Sequence, residues 1–300
     1  MTLFKLFWAS LFLFLLPYTT MAQGYIETGY TPSRSFLDKD ENRCGSGNQL
    51  QFSGRYTLPF SVKQNEKGQP IAWSGTLSCS YALLNNKEEA TEINPERILN
   101  TSFNLSHTRP ISDKWYLIAS FGAGIYSSPD QISFKSLLAN GALIFAYKLK
   151  DNLDIGVGVG LTNSYGLPLI MPMSFLKWQT NGSIDIDVEI AGRMKIAATK
   201  RMSKHFRLSL VFLDIDGLSA VMNLDGKDKI YGATRLRSYL RPELKIGQKI
   251  SAYAGIGLEM YNSVKISDRS LKGFASSFKG ENSWDFNRTF HIMAGIRYGF

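Results

Sequence analysis

Helix-length apolar runs, paired cysteines and histidine clusters are all missing from this sequence. Beyond the first 22 residues no apolar stretch approaches the roughly 18–20 residues that a membrane-crossing helix needs, which excludes a helical membrane protein. There are only two cysteines: Cys44 lies in a polar segment and Cys79 on the apolar face of a predicted strand. An exported protein can form a disulfide, but settings this different argue against one here. The three histidines, His107, His205 and His291, sit in no nucleophile motif. A hydrolase needs serine and histidine close together with a third group to orient the imidazole. Metal-ligand spacing and phosphate-cradling glycine loops are missing too, so no cofactor is expected. Val157-Gly158-Val159-Gly160 resembles a glycine motif only until its alternation is noticed.

What is present begins with an export leader. Lys5 supplies a positive start, Leu6 to Leu16 an apolar stretch, and Thr20-Met21-Ala22 a small-x-small cleavage site before Gln23. Residues 1–22 therefore read as a signal peptide. Loss of Lys5 with the leader lowers the formal net charge from +9 by one, to +8. Such a balance favours anionic partners, and in an exported chain these are outer-leaflet phosphates rather than nucleic acid.

From residue 49 to the end the chain alternates. Leu50, Phe52, Tyr56, Leu58 and Phe60 are interleaved with Gln51, Ser53, Arg55 and Thr57. Trp115 to Ile125, Leu153 to Leu161 and Leu236 to Ile246 repeat the pattern. A period of two with one greasy face is the signature of a β-strand. The last twelve residues, TFHIMAGIRYGF, alternate through Phe290, Ile292, Ala294, Ile296, Tyr298 and Phe300 and stop on a bare aromatic.

Connection lengths separate a barrel from a soluble sandwich, because outer-membrane barrels alternate short periplasmic turns with long outward loops. Counting back from Phe300, Asn262 to Asp285 is long, Gly247 to Lys249 short, Asp214 to Lys229 long and Lys200 to Lys204 short. The alternation requires a hairpin at Ala191-Gly192 and an extra first strand in residues 23–48, for which Tyr25 to Phe36 is the candidate, as wall or as plug. The count is then about fourteen, with twelve as the alternative. Trp73, Trp115 and Trp178 fall at periplasmic strand ends, where an interfacial aromatic girdle belongs. The fold expected is all-β: a transmembrane antiparallel up-and-down β-barrel over 49–300, with 23–48 contributing its start.

The Gln23 start, the stretch Gly166 to Pro172 followed by Trp178-Gln179 and a short hairpin, and the Arg297-Tyr298-Gly299-Phe300 ending resemble an uncharacterised outer-membrane β-barrel domain family of Gram-negative bacteria. The resemblance implies location in the outer membrane, contact with its lipids and lipopolysaccharide, and insertion by the barrel-assembly machinery. Ile296, Tyr298 and Phe300 would be the assembly signal. It carries no catalytic residues to transfer.

If the greasy face meets lipid, the other lines the lumen. Asp185, Asp187 and Glu189 form an acidic row; Arg235, Arg237, Arg241 and Lys245 form a basic one, with Lys195 and Arg207 between. Opposed rows set ion selectivity across a pore, or pair with each other and fix strand register. Inward glycines such as Gly156, Gly158, Gly160, Gly255 and Gly257 either leave room for a ligand or relieve crowding under a leaning neighbour. His291 is expected to face the lumen alone, and Asp214 and Asp216 to sit at the extracellular rim. The functional expectation is a narrow channel or passive transporter for small solutes. A non-conducting surface barrel acting through its long loops is the alternative, ahead of an envelope hydrolase. Neutralising Arg235, Arg237 and Arg241 is the test that suggests itself.

Overall fold

A computed structural model describes residues 22–162, 169–180, 184–190, 193–224, 226–270 and 283–299. The strands are β1 (Gln23–Leu37), β2 (Arg43–Gln64), β3 (Pro70–Glu88), β4 (Arg97–Pro110), β5 (Trp115–Ser127), β6 (Leu137–Lys150), β7 (Leu153–Thr162) and β8 (Leu169–Gln179). They continue as β9 (Ile184–Ile190), β10 (Met194–Arg201), β11 (Phe206–Leu224), β12 (Lys227–Lys245), β13 (Ile250–Asp268), β14 (Ser283–Phe286) and β15 (Thr289–Tyr298). One short helix, α1 (Ala90–Ile93), lies between β3 and β4.

From β1 to β14 each strand pairs antiparallel with the next, and β1 closes the ring against β14 and β15. Both of these also pair with β13, so they are one wall strand broken at Asn287–Arg288. The result is a closed fourteen-strand up-and-down barrel. β1 is wall, not plug: twelve of its residues, Gln23 to Thr31 and Arg34 to Phe36, and also Leu37, find partners on β2. β9 and β10 form the expected hairpin, although Ala191 and Gly192 themselves lie outside the described residues.

The barrel is inside-out relative to a soluble protein. Ile26 (74% exposed), Phe121 (61%) and Phe290 (65%) face outward, while Arg235, Asp214 and Glu259 are buried inside at 2% exposure or less. Removing a large apolar side chain from water is worth about 1.5–3 kcal/mol, so such an outer surface is stable only against hydrocarbon. Trp73 stacks on His107 at 4.3 Å and Trp115 leans on Tyr147 at 4.8 Å, at the end where Gln23 and Tyr298 also lie. This end carries the short turns and is taken as periplasmic. Pro172 pairs with Val159 of β7, and its position toward β9 lies beyond Ile190, outside the described residues.

Two expectations fail. Asp214 to Lys229 is no loop, since β11 and β12 stay paired up to Leu224 opposite Lys227. In the same way β13 runs on to Asp268, and residues 271–282 lie outside the described ones. The cause is a set of β-bulges. Between Val211 and Asp214 the register of β11 slips against β12, between Glu259 and Tyr261 that of β13 does, and between Thr31 and Arg34 that of β1 does against β2. An extra residue reverses which face each later side chain meets. Above the bulges, apolar residues of these strands therefore point inward.

Candidate lumen site

Those inward apolar residues build a seal. Phe36, Leu218, Ala220, Met222, Ala233, Val264 and Phe286 pack with Ala82, Leu84 and Ile98 and with Ala90 and Ile93 of α1. The Tyr231 hydroxyl donates to Asn94 Oδ1 at 3.0 Å, tying the helix to β12. β11 itself crosses to the opposite wall: Val221 pairs in parallel with Ser127 of β5, and Asn100 of β4 donates to the Ser219 carbonyl at 2.6 Å. The upper barrel is thus closed by β1–β5 and β11–β14, whereas among the described residues the last β9–β10 pair is Ile190 with Met194.

Beneath the seal, at the height of the bulges, lies a layer of buried ions. Arg235 donates to Asp216 through Nε at 3.0 Å and Nη2 at 2.7 Å, and Arg237 reaches the same carboxylate at 2.7 Å. Arg193 grips Asp214 in a fork at 2.6 and 2.5 Å, with the Tyr239 hydroxyl donating to it at 3.0 Å. Arg34 pairs with Glu259, which also accepts from Asn262 at 2.9 Å. Arg235 spans the lumen to Gln51 Oε1 at 2.5 Å, and Gln51 continues to Ser80 at 2.8 Å. Planar forks on carboxylates are the strongest geometry available to such pairs.

Below this layer the lumen opens into two polar chambers. The central one, about 200 Å³, lies against Gln51, Ser80, Asn100, Asp216, Arg237 and His291. The periplasmic one, about 300 Å³, is lined by Arg55, Arg193, Lys195, Arg241 and Arg297, with Glu27 and Glu189 as its acids. Tyr25, Glu27, Arg55 and Arg193 line both, so the chambers adjoin.

The two charge rows are not brought together. Asp185 takes Arg201 at 3.2 Å; Asp187 faces Ala197 and Lys177 in register; Glu189 lines the periplasmic chamber opposite Lys195. Arg207 stands 4.0 Å from Glu243, which Arg297 holds at 3.0 Å. Arg241 lies over the Tyr253 ring at 5.3 Å, and Lys245 opposes Ser251 near the periplasmic mouth. Arg235 and Arg237 pair instead with Asp214 and Asp216, wall residues of the neighbouring strand β11, the first buried and the second partly buried, rather than rim residues. His291 is not alone either: its Nδ1 is 3.1 Å from Thr31 Oγ1 and its Nε2 is 3.4 Å from Arg237. Of the assembly-signal residues, Ile296 and Tyr298 pair with Ile26 and Gly24 of β1, and Phe300 lies outside the described residues.

The inward glycines make room for packing rather than for a ligand. A methyl group on Gly156 would stand 2.2 Å from the Phe175 ring, on Gly160 1.9 Å from Met173, and on Gly257 2.0 Å from the Ser238 carbonyl.

A closed antiparallel barrel with an apolar outer band, an aromatic girdle and a charged interior is an outer-membrane-type β-barrel. The chain belongs to the family described as Domain of unknown function (DUF6268), which it matches over residues 18–299. No curated protein matches it. Among solved structures it is similar to the COG4313 outer membrane channel from Pseudomonas putida F1, at 8% identity and a TM-score of 0.46, over 92% of this chain and 94% of that one. It is also similar to the toluene transporter TodX of P. putida (8%, TM-score 0.39, 93% and 90%) and to P. putida OprB (8%, 0.34, 97% and 96%). The first of these is named as a channel and the second as a transporter. At such identities the functional reading rests on this chain's own lumen.

Proposed function

We propose that the protein is a narrow passive channel of the outer membrane for small polar solutes. One observation carries this reading: two adjoining polar chambers run from the periplasmic mouth to the underside of the ion layer, sharing Arg55 and Arg193 as wall. The seal closes the barrel axis above the ion layer, so solute leaves these chambers by a route off the axis. A lumen with surplus arginine and lysine concentrates anions and repels cations.

The apolar seal favours a second reading, a non-conducting barrel that acts through its outer surface. Conductance of the refolded chain from Gln23 onward in a planar bilayer separates the two. Arg235 and Arg237 are unsuited to the test, because removing either leaves Asp216 short of a partner. Arg55, Lys195 and Arg241 are the cations to neutralise: they line the periplasmic chamber, and among the described residues no carboxylate lies within salt-bridge distance of them.

A further inference from the structure

The periplasmic chamber has a more specific chemistry than a charged vestibule needs. Two of its five cations are already committed, Arg193 to Asp214 and Arg297 to Glu243 at 3.0 Å. The remaining three, Arg55, Lys195 and Arg241, come from β2, β10 and β12 and converge on one cavity from three parts of the wall. Their opposing acids are partly spent: Glu27 accepts the Tyr253 hydroxyl at 2.9 Å. Arg241 lies over the Tyr253 ring at 5.3 Å, and its Nε is shut off from solvent with no hydrogen-bond partner. Arg241 also has no carboxylate within salt-bridge distance among the described residues, which leaves its charge for an anion in the chamber.

We infer that this chamber is a binding site for a small oxyanion bearing carboxylate or phosphate groups. Arg241 would present its planar fork to one such group, with its orientation fixed by Tyr253. Lys195 and Arg55 would supply point charge and hydrogen bonds to the rest of the ligand. A volume of about 300 Å³ equals that of about ten waters at ~30 Å³ each, which suits an anion with a similar number of heavy atoms. The site rests on the channel reading for its biological meaning, since it names the solute class, but its occupancy is measurable without any current.

The experiment is titration calorimetry on the refolded barrel from Gln23 onward in detergent, with citrate and inorganic phosphate as separate probes and chloride at matched ionic strength as the blank. Saturable binding of either oxyanion is expected, and which one binds assigns carboxylate or phosphate. R241Q and K195Q should each weaken it roughly tenfold or more, as loss of a charge-assisted hydrogen bond implies. R43Q, at a surface pair with Glu88 far from the chamber, should bind as the parent does. Absence of saturable heat with both oxyanions in folded parent protein would overturn the assignment, as would R241Q and K195Q that bind unchanged. Binding without conductance would sink the channel and leave the site standing; conductance without binding would do the reverse.

Discussion

Arg193, just past the β9–β10 turn, closes a two-pronged salt bridge on Asp214, the first residue of β11 to regain register with β12 beyond its bulge. The pair fastens the start of β10 to the ion layer. It is also the point at which the two chambers meet.

Asp214→Asn should therefore destabilise the barrel by about 3–5 kcal/mol, the usual cost of removing one partner of a buried pair. Arg193→Gln should cost less, because Arg237 at 3.6 Å and Tyr239 at 3.0 Å still serve Asp214. Urea unfolding in lipid vesicles measures both, and a double-mutant cycle should return a coupling of roughly 0.5–3 kcal/mol. Additive effects would show that the fork contributes nothing.

The seal makes a second prediction. Phe36 is fully buried, stacks near Trp284 and lies 4.6 Å from Phe286. Phe36→Ala should cost about 3–5 kcal/mol and leave a cavity above the ion layer. If the seal bars the axial route, this variant should also conduct more than the parent in the same bilayer. Unchanged current in a folded variant would mean that the ion layer alone blocks the axis.

Lipid contact is tested at Phe121, midway along the outer face of β5. Phe121→Arg should cost about 2–4 kcal/mol in bilayers, as charges on the lipid face of a barrel do near its midplane. A surface position in water would tolerate the change within about half a kcal/mol, so a neutral result contradicts the membrane assignment.

The outer rim responds to acid. Asp228 accepts Lys135 at 2.6 Å and Asp268 accepts Lys229; these hydrogen bonds, together with the lysine charges, hold both carboxyls below the usual carboxylate range. A folded-state pKa below the unfolded one means that the contribution is complete above about 3.9 and is lost as pH falls through the lowered value. Pepsin cleavage within residues 128–136, normalised to an unfolded substrate, should rise below that point. Asp228→Asn should cleave readily at every acidic pH tested. A flat profile in the parent would show that the Lys135 contact does not hold this loop.

Much of this architecture was legible in the sequence because a barrel wall obeys a two-residue period. Phe121, Val157 and Phe290 face outward as their alternation requires, and the hairpin between Ile190 and Met194 follows from connection lengths. What escaped lies beyond the bulges. A bulge adds one residue without any mark in composition, and past it the same alternation has the opposite meaning. Asp214 and Asp216 therefore looked like rim residues, and Leu218, Ala220 and Met222 gave no sign that they fill the lumen. The local hint was Leu210-Val211-Phe212-Leu213, where four successive apolar residues break the period. Arg34 and Glu259 were missed because they lie 225 residues apart in the chain, and Arg193 because its partner on the following strand, Asp214, looked like a rim residue.

The most direct test of the channel is single-channel conductance of the refolded chain from Gln23 onward, with the R55Q/K195Q/R241Q variant beside it and folding of both checked by heat-dependent gel mobility. Discrete steps with anion preference in the parent, and loss of that preference in an equally folded variant, are the predicted result. A silent bilayer from folded parent protein, or steps whose ion preference ignores the three substitutions, would contradict it.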